Sequence, residues 1–130
     1  MDKVELKRRT KKFTVDVIKF VDTLPTGRAI NVLINQLLRC SSSVGANYRS
    51  ACRGKSIPDF INKIVIVEEE ADESMYWLEV MQESGLVNTD KIRPLLSEAN
   101  ELTAIFTAIG KTAKENQKIK NPKSSIRNPK

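Results

Sequence analysis

The densest run of reactive side chains in the chain is Glu68-Glu69-Glu70-Ala71-Asp72-Glu73. Clustered carboxylates are the raw material of the di-metal sites built inside helical bundles, where inward-pointing Glu residues are joined by Glu-x-x-His pairs from two helices. The chain has no histidine, so that ligand set cannot be completed, and no metal or other cofactor is expected. The same absence removes the commonest general base and the Ser-His and Cys-His nucleophile pairs. Cys40 and Cys52 are the only cysteines. Twelve residues apart on one helix, their Cα atoms lie about 18 Å from each other, too far for a disulfide. Both read as small apolar side chains in a reducing compartment. The run Cys40-Ser41-Ser42-Ser43-Val44-Gly45-Ala46 has the small residues of a phosphate-cradling loop but lacks the preceding strand and the Gly-Lys pair. It predicts instead a close approach of two helices or a slight bend. With no nucleophile-base pair, metal cluster or cofactor loop, the chain is expected to be no enzyme and to take no small-molecule substrate.

What remains is charge, and it is segregated. The net charge is +6. Residues 1–22 carry seven basic and four acidic side chains, residues 23–58 five basic and none acidic, and residues 59–84 one basic and eight acidic. Residues 85–117 balance at four of each, and residues 118–130 hold five basic and none acidic. The N-terminal cluster Lys7, Arg8, Arg9, Lys11 and Lys12 and the C-terminal Lys118, Lys120, Lys123, Arg127 and Lys130 are the candidate phosphate contacts for RNA or DNA. No base-reading platform is expected, since only two Tyr and one Trp are present.

The elements that must position these charges follow from apolar periodicity. A first helical segment runs from about Val4 or Thr10 to Thr23 and is ended by Pro25-Thr26-Gly27. A second runs from Arg28 to about Arg53. A third starts where Ser56 can cap, with Pro58 in the first turn and Asp59 completing a capping-box variant, and stops before Gly85. A fourth begins at Asn88 or Thr89 and carries a clear stripe from Ile92 to Ala113. Short connections between long helices predict an all-α, antiparallel up-down-up-down four-helix bundle over residues 1–117, followed by a disordered basic tail over 118–130. No stretch is apolar enough to span a bilayer, so no membrane association and a cytoplasmic location are expected.

At about 100° per residue, Arg28, Arg39, Arg49 and Arg53 fall within about 80° of arc on the second helix. Leu33, Leu37, Val44, Tyr48 and Ala51 lie on the other side, toward the core. On the third helix the core face is expected at Phe60, Ile64, Val67, Ala71, Met75 and Leu78. Glu68, Asp72, Glu79 and Glu83 share an outer flank with Ile61, Val65, Tyr76 and Val80. Surplus apolar surface mixed with charge suggests a subunit boundary. Arg39, Arg49 and Arg53 on one copy would then face Glu68, Asp72 and Glu79 on the next, with Ile61, Val65 and Tyr76 between them. The same arginines could instead meet phosphates. A basic, non-enzymatic homo-oligomer that binds nucleic acid is therefore expected, with an oligomeric protein-protein scaffold as the alternative.

The stretch from Gln36 to Val87, and within it Ser43–Arg49 (SVGANYR), Asp59–Lys63 (DFINK) and Glu68–Leu78 (EEEADESMYWL), resembles the four-helix-bundle proteins of bacterial 23S rRNA intervening sequences. A more distant similarity is to the accessory proteins of diversity-generating retroelements. The resemblance implies a bacterial four-helix bundle that assembles with itself, often as a ring of five. It brings no catalytic residues with it.

Overall fold

The computed structural model describes residues 1–120. Four helices make up this part: α1 Lys3–Val21, α2 Arg28–Cys52, α3 Ile57–Ser84 and α4 Thr89–Lys120. Each boundary has a local cause. α1 begins where the Asp2 side chain accepts from the Glu5 N–H at 2.8 Å, which satisfies one of the orphan donors of the first turn. Ser56 caps α3 by accepting from the Asp59 N–H at 3.2 Å. Gly85 ends α3 in the left-handed region, φ 74°, a conformation that costs glycine nothing. α4 runs three residues past the expected start of the tail, through Lys118, Ile119 and Lys120. The rest of the expected disordered tail lies outside the described residues.

Neighbouring helices run antiparallel, as paired contacts along them show. Gly45 of α2 abuts Thr10 of α1, and one turn further along α1 the Thr14 hydroxyl donates to the Ser41 carbonyl at 3.0 Å. Between α3 and α4, Thr107 bonds Glu68 and Thr103 reaches Met75, so the numbers rise on one helix as they fall on the other. α4 also closes against α1. The core is filled by Phe13, Val17, Leu37, Val44, Ile64, Leu78, Ile92, Leu102 and Phe106, all essentially sealed from solvent. Tyr48 and Phe106 meet edge to face across it at 5.2 Å. Among the described residues no helix is long and apolar enough to cross a membrane.

One expected surface residue is corrected here. Ile61 is buried, at 7% exposure, and belongs to the core rather than the outer flank of α3. The sealed positions of α3 repeat every seven residues, as Ile64-Ala71-Leu78 and Val67-Ser74-Met81. A seven-residue seam drifts by about 20° per heptad around a straight helix, so a straight wheel misplaces its ends. At the C-terminal end the seam has turned toward Met81, and Ile61, at the N-terminal end, is buried outside the repeat. Phe60 and Met75, expected at its centre, are only half-buried against it.

Candidate nucleic-acid interface

α1 and α2 touch along small residues, and the closeness of that contact shapes what lies above it. A Cβ on Gly45 would stand 3.3 Å from the Thr10 backbone C and O, so α2 here packs backbone against backbone. Thr10 itself is buried, and its hydroxyl donates within α1 toward the Leu6 carbonyl at 2.9 Å. Above this seam the two helices diverge into a cleft of about 640 Å³. Lys7, Arg8 and Lys11 form one wall, and Arg49 and Arg53 the other. Gly45 and Thr14 lie at the base of the cleft, where the two helices touch, and the exposed Val4, Val15, Ser42 and Ala46 complete the lining. Among the described residues no carboxylate lines the cleft. A second hollow, of about 550 Å³, shares Arg49 and Arg53 and adds Lys55 from the α2–α3 connection and Lys63 from α3, with Asp59 as its single acid among the described residues. Positive side chains from three helices thus share one end of the molecule, where their summed field favours anions.

The clustering joins two groups that the sequence kept apart. Arg49 and Arg53, expected at a subunit boundary, stand across the cleft from Lys7, Arg8 and Lys11 of the N-terminal cluster. Neither arginine forms an ion pair among the described residues. Lys12 is exposed and pairs with Asp16 one turn along at 2.6 Å. Arg9 is corrected. Its guanidinium forks onto Glu98 of α4, with Nε and Nη2 both at 2.7 Å, and reaches Glu101 at 2.9 Å. The hydrogen bonds to Glu98, foremost, and Glu101 raise its pKa still further against the opposing cost of burial. Three of its five N–H donors and its charge are committed to two carboxylates, so Arg9 ties α1 to α4. Lys118 is exposed on the last turn of α4. Lys120 falls at the end of that helix. Lys123, Arg127 and Lys130 lie outside the described residues.

Arg39 also departs from expectation. It pairs within its own chain, with Glu73 and with Glu70 at 3.5 Å, because α2 and α3 are adjacent and bring the basic and acidic stripes to one level. Glu73 accepts in addition from the Trp77 indole N–H at 3.2 Å. Glu68 faces α4 and accepts from Thr107 at 2.6 Å. Asp72 and Glu79 are exposed and Val65 is half-buried. Tyr76 is 54% exposed and leans edge-on against Trp77 at 4.9 Å. The acidic flank therefore runs along α3 and away from the basic cleft. Among the described residues no three Cys, Asp or Glu come together as a metal-binding group. Both cysteines are free thiols. Burial pushes the Cys40 thiol up in pKa, where it packs 3.3 Å from the Ser74 hydroxyl. Ser41, Ser42 and Ser43 spend their hydroxyls on local helix groups.

A family model, 23S rRNA-intervening sequence protein, matches residues 2–108. The chain belongs to this family. The match takes in all of α1, α2 and α3 and much of α4, and so covers both walls of the cleft. Among solved structures, a protein of unknown function from the S23 ribosomal protein family of Bacteroides thetaiotaomicron is similar. It shares 29% identity and superposes with a TM-score of 0.78 over 85% of this chain and 99% of that one. No curated protein matches significantly. Family membership agrees with the resemblance carried by Ser43–Arg49, Asp59–Lys63 and Glu68–Leu78. Two of those three segments supply cleft and hollow residues, namely Gly45, Ala46, Arg49, Asp59 and Lys63.

Proposed function

We propose that this protein is a non-enzymatic nucleic-acid-binding protein that holds the phosphate backbone of RNA in the α1/α2 cleft and acts as a homo-oligomer. The observation that carries the reading is the lining of the cleft: five basic side chains from α1 and from the C-terminal end of α2 and its cap, with no carboxylate among the described residues. Phosphates entering it release condensed counterions, which favours binding without any base contact. RNA is chosen over DNA because the family is described by 23S rRNA intervening sequences and the Bacteroides relative by a ribosomal protein family. Lys118 and Lys120 at the end of α4 and the sequence residues Lys123, Arg127 and Lys130 beyond it add contacts, multiplied by the number of copies in the oligomer.

The test is fluorescence anisotropy of a 23S rRNA fragment across a salt series. Five contacts at roughly −0.7 each give a log-log slope near −3.5, so affinity falls about a hundredfold between 50 and 200 mM salt. Replacing Lys7, Arg8, Lys11, Arg49 and Arg53 by Gln flattens that slope, and deleting residues 118–130 weakens binding further. Binding that ignores both salt and these five side chains overturns the reading.

The scaffold alternative rests on a different surface. α3 exposes Tyr76, with Asp72 one turn before it and Glu79 one turn after on the same exposed flank, and this apolar-acidic flank supports the self-association. Light scattering at moderate salt should find an oligomer that Tyr76→Lys disrupts. A monodisperse monomer at micromolar concentration removes the oligomer, and an intact oligomer without salt-sensitive RNA binding leaves the scaffold alone standing.

A further inference from the structure

Arg49 and Arg53 stand on the outer side of α2 and border two hollows at once, the α1/α2 cleft and the 550 Å³ hollow beside the start of α3. The antiparallel register brings a basic side chain from each of three helices to one level. Gly45 against Thr10 and Ser41 against Thr14 set Arg49 level with Leu6, one residue from Lys7. Arg39 against Glu73 and Cys40 against Ser74 set the same arginine level with residues 63–65 of α3, where Lys63 lies. Resting on the reading above, we infer that the hollow is a second phosphate site, in which Lys55 and Lys63 hold the same nucleic-acid backbone after it has crossed α2 over Arg49 and Arg53.

Three features carry this. The two hollows join without a break in positive charge, because Ala46, Arg49 and Arg53 line both. Arg49, Arg53 and Lys55 are exposed, and among the described residues none of them is committed to an ion pair. The basic row is also too long for one small anion, since neighbouring helix axes lie about 8–10 Å apart and the path from α1 over α2 to α3 therefore covers about 16–20 Å. A polyanion fills it. Asp59 limits the site, because its carboxylate lies 3.8 Å from the Lys63 amine and draws on the charge that Lys63 offers. That i,i+4 pair is half-exposed and weak, so a phosphate can take the amine over. The carboxylate is then left facing the incoming backbone and repels it.

The experiment measures binding of a 23S rRNA fragment to the full chain by anisotropy across a salt series, with circular dichroism of each variant to confirm the fold. Lys55→Gln with Lys63→Gln removes two contacts, so the log-log slope should flatten by roughly 1.4. Lys19→Gln with Lys91→Gln is the control. Both residues are exposed at the opposite end of the bundle, so the same net charge is lost and the slope should stay as it is. Asp59→Asn should raise affinity about threefold at low salt, and the gain should fade as salt screens the carboxylate in the parent. If the Lys55 and Lys63 changes move the slope no more than the control, or Asp59→Asn fails to tighten binding at low salt, the second site is overturned. The cleft reading then still stands, provided that the five cleft substitutions flatten the slope. Absence of salt-sensitive binding in the parent overturns both.

Discussion

Replacing Gly45 by alanine sets two effects of similar size against each other. In a helix interior the change alone gains roughly 1 kcal/mol, because glycine loses the most backbone freedom on folding. At this position the new methyl would stand 3.3 Å from the Thr10 C and O and 3.4 Å from the Lys11 N, inside the roughly 3.5–4.0 Å of a comfortable contact. All three neighbours are backbone of another helix and cannot rotate away. α1 and α2 must part slightly, which also stretches the Thr14–Ser41 hydrogen bond of 3.0 Å. Overpacking of this kind costs about 1–3 kcal/mol, so the net expectation is a loss of about 1 kcal/mol, or about 3–4 °C in Tm at this chain length. Gly110→Ala is the control. There the methyl would meet only the Ile64 Cγ2 at 3.4 Å, a movable side chain, so the helix gain survives and stability should rise by about 0.5–1 kcal/mol. Urea denaturation of both variants beside the parent gives the comparison. If Gly45→Ala stabilises as much as Gly110→Ala, α1 and α2 do not meet backbone to backbone, and the account of how the cleft is floored fails.

Arg9→Gln should cost about 1 kcal/mol of stability, given its forked pair with Glu98 in a partly exposed setting, and leave RNA affinity unchanged. A loss of affinity as large as that of Lys7→Gln would mean that Arg9 is a phosphate contact after all. Tyr48 makes the pH prediction. Burial, foremost, and the neighbouring Cys52 raise its pKa, so the unfolded chain gives up the phenolic proton first. Stability is then whole below the unfolded pKa of about 10 and falls as pH climbs above it. Tyr48→Phe keeps the edge contact with Phe106 and should flatten this alkaline decline in urea titrations between pH 9 and 11, and an unchanged decline would count against the buried phenol as its source.

The fold was legible because its signals are local. Ser56, Pro58 and Asp59 mark the start of α3 and Gly85 its end, and the apolar stripe of α4 is long enough to admit no other period. Apolar periodicity alone leaves the α1 start between Val4 and Thr10, although Asp2 followed three residues later by Glu5 is the same capping signal as Ser56 and Asp59. Which charges meet was far less legible. Arg49 and Arg53 reach Lys7, Arg8 and Lys11 only because Gly45 lets α1 and α2 close to backbone contact, and a wheel drawn for one helix holds no information about its neighbour. The small-residue run around Gly45 pointed to a close approach without saying which helix approaches. Arg9 sits among four other basic residues in sequence yet is drawn off by Glu98 and Glu101, some ninety positions away. Ile61 is buried although the wheel of α3 puts it on the flank, because a wheel drawn for one helix does not show what a neighbouring element covers.

The most direct test of the cleft as the nucleic-acid site is photo-crosslinking of the full chain to a single-stranded 23S rRNA fragment, with the modified peptides read by mass spectrometry. Crosslinks are predicted to concentrate on the two cleft-lining stretches, Val4–Val15 and Ser42–Arg53, and to vanish when Lys7, Arg8, Lys11, Arg49 and Arg53 are replaced by Gln. Crosslinks confined to the α3 and α4 surfaces, or to residues beyond Lys120, with none on either wall, would contradict it.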